Sequence, residues 1–497
     1  MELQFQKSQL RCLRPLMMQV QTAEQVHQLR LPDGMPDIGT VLGAWGQVLL
    51  RGKEWDRESF GVSGGVMVWA MYEPEEGGEP CMAEAWLPFQ MKWDIPPTGH
   101  DGKIRCSFRL KNVDARSTSA RKLILRANVS AMGEAYVPEE ISYCTPEGVP
   151  EDVQLLRTTY PLRMAVEAGE KTVELDEELE LPGSAPKLQK LLRFSLQPEL
   201  IDRRVMADKV VFRGSALVRI LYMGEDGRLH TWQFDVPFSQ YAELDGEYGP
   251  EAEATVIPEL TGLEMEQQEN GRILLKGGMT CQYVIYDRHM LELVQDAYSP
   301  NRQVTAQEDA LIVPTVLEQT SKTVPVEVTA QTEWTDGVDT VFYPCFPEYR
   351  LENAAMHLQG RFHVLCYDES GNLHSISPKW EQGVPIEAAQ QGRIQGWAAN
   401  TGVPQTVFAA DQMISRTDLL LDTMTTAQET IPMLSGFSMG ELSEPDPGRP
   451  SIILRKPCGE TLWQLAKRCG STPDKIRQAN ALEGEPQTED FLLIPVL

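Results

Sequence analysis

No stretch of this 497-residue chain approaches 18 consecutive apolar residues, which excludes a transmembrane helix. Basic charge is scarce: 45 Lys and Arg stand against 72 Asp and Glu, for a net charge of −27. That balance argues against nonspecific nucleic-acid binding and against anchoring on anionic lipid, and it favours partners with basic surfaces. The nine cysteines are odd in number and scattered, and none forms a CxxC pair. Neither a disulfide framework nor a zinc site is indicated, and most read as small buried hydrophobes. The seven histidines show no HExxH or other metal-ligand spacing, so neither a metal nor a cofactor is expected. The segment from Met1 to Lys7 has no charged-then-apolar signal pattern. With the unpaired cysteines, this gives the expectation of a protein made and kept in a reducing cytoplasm.

What is present suits ordinary globular cores. The hydrophobic fraction is 42%, and the length corresponds to about three or four domains. A nucleophile pattern, G-x-S-x-G, occurs at Gly61, Ser63 and Gly65, but a catalytic elbow requires a strand turning sharply into a helix. Here a strand pattern continues through Val66, Val68 and Ala70, and Arg213 stands at the paired position of a second copy. The chain is therefore expected not to be an enzyme.

Four apolar runs end in tyrosine, at Tyr72, Tyr222, Tyr286 and Tyr367, each with a glycine seven or eight positions earlier. Tyr72 and Tyr222 are 150 residues apart, and Tyr222 and Tyr367 are 145 apart. Tyr72 to Tyr136 and Tyr222 to Tyr286 are both 64 residues. A period near 150 with two related halves implies duplicated β-rich modules of domain size. Turn residues follow two of the tyrosines (Glu225, Asp226 and Gly227; Ser370, Gly371 and Asn372), with His230 and His374 just beyond, as in hairpins. Pro88-Phe89 and Pro237-Phe238 close two of the units.

Between the halves, Ile104, Cys106, Phe108 and Leu110 alternate with Arg105, Ser107, Arg109 and Lys111, a strand with one apolar and one basic face. Most such basic stripes are solvated faces; the sharper alternative is a docking face for an acidic partner.

Pro36-Asp37-Ile38, then the glycine-containing strand, Tyr72 and Pro88-Phe89, resembles the SPOCS domain of spore-coat assembly proteins from endospore-forming Firmicutes. The likeness is clearest in the first unit. The second has Gln197-Pro198-Glu199 in place of the Pro-Asp-Ile opening, and the third lacks the Pro-Phe closure. The expected organisation is a first module over residues 1–166, an acidic linker over 167–184, a second module over 185–308 and a divergent third over 309–434. A flexible linker over 435–449 then precedes a small domain over 450–497.

That last segment is similar to a LysM module. Ile452 and Leu454 alternate as in a strand, and Thr461 precedes a run with Leu462, Leu465, Ala466 and Cys469 at helical spacing. Gly470 stands at a helix end, and Pro473 suits the first turn of a second helix capped by Ser471 or Thr472. Ile476 and Ala479 are expected to face the core with Trp463, Asn480 ends the helix, and a second strand closes at Ile494. The fold class is thus mainly β, with tandem SPOCS-like modules followed by a small βααβ domain.

The resemblance implies a binding protein. Its LysM groove would be formed by Gly459, Glu460, Thr461 and Leu462 on one side and by Asn480, Ala481 and Leu482 on the other. Where the family has Pro-Gly-Gln, this chain has Gln487-Thr488-Glu489-Asp490, which suits a protein surface better than a glycan. The implied partner is the spore-coat morphogenetic ATPase or another coat protein, met in the mother-cell cytoplasm at the forespore surface. The alternative is a peptidoglycan or other N-acetylglucosamine (GlcNAc)-containing glycan of the envelope or spore cortex.

Overall fold

The computed structural model describes residues 2–386, 392–409, 411–443, 448, 450–486 and 491–497. The chain is mainly β. Its strands fall into three successive sets built to one plan, followed by the C-terminal module. The first set comprises β1 (Glu2–Gln4), β2 (Gln6–Arg30), β3 (Ile38–Asp56), β4 (Ser59–Pro74), β5 (Cys81–Asp94), β6 (Lys103–Ser119) and β7 (Lys122–Thr145). Apart from β1, it forms two antiparallel sheets, in the orders β3-β4-β5 and β2-β7-β6. Their facing sides make one core, from Phe60, Val66, Val68, Leu87, Phe89 and Trp93 against Phe108, Leu123, Leu125 and Val129. β5 shows the cause: Ala83, Ala85, Leu87, Phe89, Met91 and Trp93 point inward, while Glu84, Pro88, Gln90, Lys92 and Asp94 point to water.

The second set is β8 (Gln154–Leu179), β9 (Leu188–Gly224), β10 (Leu229–Tyr248), β11 (Glu253–Gln267) and β12 (Ile273–Tyr298). Strands β8, β12 and β11 repeat the arrangement of β2, β7 and β6. β9 does the work of both β3 and β4. It folds back at Ala207, whose φ of 47° is left-handed, and brings Gly214 against the Glu199 carbonyl. The third set is β13 (Arg302–Gln331), β14 (Asp336–Pro344), β15 (Glu348–Arg350), β16 (Ala355–Tyr367), β17 (Leu373–Ile376), β18 (Lys379–Pro385), β19 (Arg393–Ala409) and β20 (Gln412–Leu442). Here β13, β20 and β19 form one sheet, with β1 added at its edge, and β16 is the centre of the other.

Three details show the repeat physically. The Tyr72 hydroxyl donates to the Pro36 carbonyl at 3.0 Å, and that of Tyr222 to the Pro186 carbonyl at 3.1 Å, 36 residues back in both cases. Each long first strand carries one extra residue opposite its partner, at Leu16, Val166 and Leu317, a bulge recurring at intervals of 150 and 151 residues. The central glycines lie beneath aromatic rings: Phe89 on Gly64, Phe238 on Gly214, and Phe342 on Gly360, which also pairs with Trp380. Pro88 and Pro237 sit on β5 and β10, at the edges of their sheets, where a missing N–H costs no ladder bond.

The expected linker over 167–184 is corrected by this structure. Residues up to Leu179 continue β8, hydrogen-bonded along β12, because apolar Val173, Leu175 and Leu179 alternate inward beneath the acidic face. The second unit's opening is Pro182 to Leu188 rather than the segment at Pro198. Ala185 N–H bonds Pro182 O as Met35 N–H bonds Pro32 O. The linker over 435–449 begins too early as well, since β20 extends to Leu442 and Gly436 pairs with Gln4 and Gln307. Residues 444–447 and 449 lie outside the described ones.

The three units share cores. Cys12, Cys144, Leu162, Leu293, Val313, Ile431 and Phe437, drawn from all three, form one cluster. Buried polar contacts also run between units. Arg193 Nη2 meets Asp339 Oδ2 at 2.6 Å and Arg219 Nη2 meets Asp339 Oδ1 at 2.9 Å, from the second unit to the third. Arg105, ion-paired with Glu134 inside the first unit, reaches the second through Nη1, which donates to Thr255 Oγ1 at 2.6 Å.

None of the nine cysteines is in a disulfide, and six are buried. Burial pushes the Cys12 thiol up to about 11 and those of Cys281 and Cys366 up to about 12. Only Cys458 is exposed. In native labelling with iodoacetamide it is expected to react first, with Cys281 and Cys366 modified only on unfolding. Fast labelling of Cys281 in the folded protein would contradict this packing.

Candidate functional site

The C-terminal module consists of β21 (Ile452–Arg455), α1 (Leu462–Cys469), α2 (Pro473–Asn480) and β22 (Leu492–Pro495), with the two strands paired antiparallel. Thr461 caps α1 in a capping box: its hydroxyl accepts from Gln464 N–H, and the Gln464 side chain accepts from Thr461 N–H at 2.9 Å. Gly470 ends α1 with φ 65°, and Thr472 caps α2 with Pro473 at its first position. Leu462, Leu465, Ala466, Ile476, Leu492 and Ile494 make the core.

Two expectations differ here. Ala479 is exposed. The left-handed residue after α2 is Ala481 (φ 49°), while Asn480 remains helical.

The residues expected to line the groove have distinct positions. Gly459 takes φ 86° at the tight turn before α1, Glu460 is paired with Arg468, and Leu462 is fully buried. Asn480 is engaged within the module: its amide donates to the carbonyls of Ile476 and Leu493 at 2.8 and 2.6 Å, and its Oδ1 accepts from Leu493 N–H at 2.7 Å. Leu482 is half-buried and Ala481 exposed. The two loops are bridged by Glu485, whose Oε2 accepts from Leu462 N–H at 2.8 Å at the start of α1. Nothing in the spacing singled out Glu485. Residues 487–490, read as an acidic wall, lie outside the described residues.

Trp463 is not a core residue of the module. It lies off the buried face of α1, donates from Nε1 to Asp296 Oδ2 at 2.8 Å, and packs edge-on against Tyr298 with ring centroids 4.8 Å apart. Lys467 reaches the same carboxylate at 2.7 and 2.8 Å, and the Tyr298 hydroxyl donates to Ser471 O at 3.0 Å. The module is thus seated on the end of β12, and the linker does not leave it free as expected. Trp463→Ala is expected to release this contact, since a hydrogen bond to a charged group contributes about 1.5–3 kcal/mol. Hydrogen exchange would rise at the end of β12 while α1 and α2 stay protected. Loss of protection in α1 and α2 as well would make Trp463 part of the module's own fold.

Opposite the helices, the β21–β22 sheet turns Ile452, Leu454 and Leu493 outward, with Phe491 beside them, at 57%, 63%, 42% and 62% exposure. Four large apolar side chains on one face of so small a sheet are unusual for a surface facing only water. Exposed Arg455 flanks this stripe, and Lys456 lies over the Phe491 ring at 5.0 Å.

Elsewhere, Ser63 sits mid-strand in β4 between Gly52 and Gln90, with no strand-to-helix turn. The basic stripe of β6 is corrected at two positions. Arg105 is 3% exposed and paired with Glu134, and both Nε and Nη2 of Arg109 donate to Ala398 O. Both arginines join units together, Arg105 through Thr255 Oγ1 and Arg109 through Ala398 O.

Residues 187–268 match the family model described as SipL, SPOCS domain. The match starts at Lys187, at the second unit's opening, and ends just past β11. It therefore falls on the second unit, whereas the sequence motifs looked clearest in the first. No curated protein and no solved structure matches the chain. A SPOCS unit points to a role connected with the spore coat. The units on either side of it share its strand layout and bulge. Among the described residues, no helix is long and apolar enough to cross a membrane.

Proposed function

We propose that this chain is a non-enzymatic spore-coat assembly protein, in which three SPOCS-like units form a rigid support and a C-terminal LysM-like module binds a coat protein. The LysM resemblance names the coat morphogenetic ATPase as that partner and the mother-cell cytoplasm as the place of meeting. The observation that carries the reading is the outward apolar row Ile452, Leu454, Leu493 and Phe491 beside Arg455 and Lys456. It suits a protein surface with apolar side chains edged by acidic ones. A glycan would need the groove between the two loops, and Glu485 bridges that groove.

The full-length chain would be tested against the purified coat ATPase and against purified peptidoglycan. Leu454→Asp is expected to weaken ATPase capture by at least about tenfold, as loss of an interface hot spot does, with unchanged melting. Ala481→Arg should leave capture nearly intact. Retention on peptidoglycan, abolished by Ala481→Arg and with no ATPase bound, would replace this reading with the glycan one.

A further inference from the structure

The three units line a partly open cavity of about 420 Å³ at their junction. Trp45 and Arg109 reach it from the first unit, Glu259 from the second, and Phe342, Trp397 and Asn400 from the third. Cavities where domains meet are the usual place for small-molecule sites.

Its polar groups are incompletely matched. Trp397 Nε1 and Asn400 Oδ1 are buried and have no hydrogen-bond partner. Asn400 uses only its Nδ2, donating to Phe342 O at 3.0 Å. Arg109 gives its N–H groups to Ala398 O, Phe108 O and Ser107 Oγ, and it stacks on Phe346. Among the described residues no carboxylate forms an ion pair with it. The nearby Glu259 carboxyl is 9% exposed, accepts from Phe108 N–H at 3.1 Å, and is pushed up to about 7 by burial. At neutral pH it therefore cancels the Arg109 charge only in part. Arg105, by contrast, is in ion-pair contact with Glu134. A part-buried guanidinium with no carboxylate in ion-pair contact, a free indole N–H and a free amide oxygen among aromatic rings define a ligand by complement.

We propose that this cavity binds a small aromatic carboxylic acid that also carries a hydrogen-bond donor. Its carboxylate meets the field of Arg109 and the Trp397 N–H, its ring lies among Trp45, Phe342 and Trp397, and its donor reaches Asn400 Oδ1. This site is separate from the C-terminal module and does not depend on the coat-assembly reading.

The probe is 4-hydroxybenzoate, titrated into the full-length chain by calorimetry. Saturable 1:1 binding is expected. Benzoate, which lacks the donor, and 4-hydroxybenzyl alcohol, which lacks the carboxylate, should each bind about tenfold more weakly. This comparison needs no variant, so it stands even if changes at Arg109 prevent folding. Trp397→Phe keeps a ring and removes the N–H; it should weaken 4-hydroxybenzoate roughly fivefold to tenfold, as one lost hydrogen bond does, with melting unchanged. Absence of saturable binding up to about 10 mM would mean a solvent-filled cavity only and overturn the proposal. Equal binding of the neutral alcohol, or no effect of Trp397→Phe, would overturn it too.

Discussion

Asp339→Ala is expected to destabilise the body of the protein by about 3–5 kcal/mol, because removing one partner leaves buried charges uncompensated. The Asp339 side chain is fully buried and holds two guanidinium groups from the neighbouring unit, Arg193 and Arg219. Burial alone would raise its pKa, but the two arginines more than offset that and hold the carboxyl below the usual carboxylate range. The sign follows: the stability this pair contributes is present above the ordinary carboxylate pKa and is lost as pH falls through the depressed one. Arg193 also lies over the Trp45 ring at 5.1 Å, so the loss would be felt in all three units. Urea unfolding followed by tryptophan fluorescence would measure it. The comparison is Glu140→Ala, which breaks the exposed Arg11–Glu140 pair and should cost no more than about 1 kcal/mol. Equal effects from the two variants would show that the Asp339 cluster does not hold the units together.

Gly214→Ala and Gly64→Ala form the second expectation, each costing about 1–3 kcal/mol or more by overpacking. A Cβ at Gly214 would lie 2.1 Å from the Glu199 carbonyl oxygen and 2.6 Å from the Phe238 ring. At Gly64 it would lie 2.4 Å from the Leu49 carbonyl oxygen and 2.8 Å from the Phe89 ring. In both units the nearest atom is backbone, which cannot swing away as a side chain could. Gly183, which has nothing within 4 Å, is the control, and its change to alanine should be neutral or slightly stabilising. Thermal melting of the three variants tests the repeat as well as the packing: if Gly64 and Gly214 respond differently in sign, the two positions are not equivalent.

Much of the site's scaffold was legible in the sequence because its signals are local. The Thr461 cap, Gly470 and Pro473 act within a turn of their helices, and each has the role its residue type suggests. The strand of β5 reads directly from strict alternation. The 150-residue interval between Tyr72 and Tyr222 marks equivalent positions because both hydroxyls close the same loop onto a proline carbonyl.

What failed was the reading of exposure and partnership. Composition made residues 167–184 look like a linker, since their solvent face is acidic, yet their apolar alternates pair β8 to β12. Period-two alternation showed that Arg105 and Arg109 share a face of β6, but not that two further units cover it. Size and hydrophobicity assigned Trp463 to the module's core, yet it lies off the buried face of α1, and only the packing of the module on β12 supplied Asp296 and Tyr298 as its partners. Local pattern determines which side chains point the same way, because that depends on backbone geometry over a few residues. Which of those faces meets water and which meets another unit depends on contacts 150 residues or more apart along the chain, so the burial of the arginines and the seating of the module were decided by the tertiary structure alone.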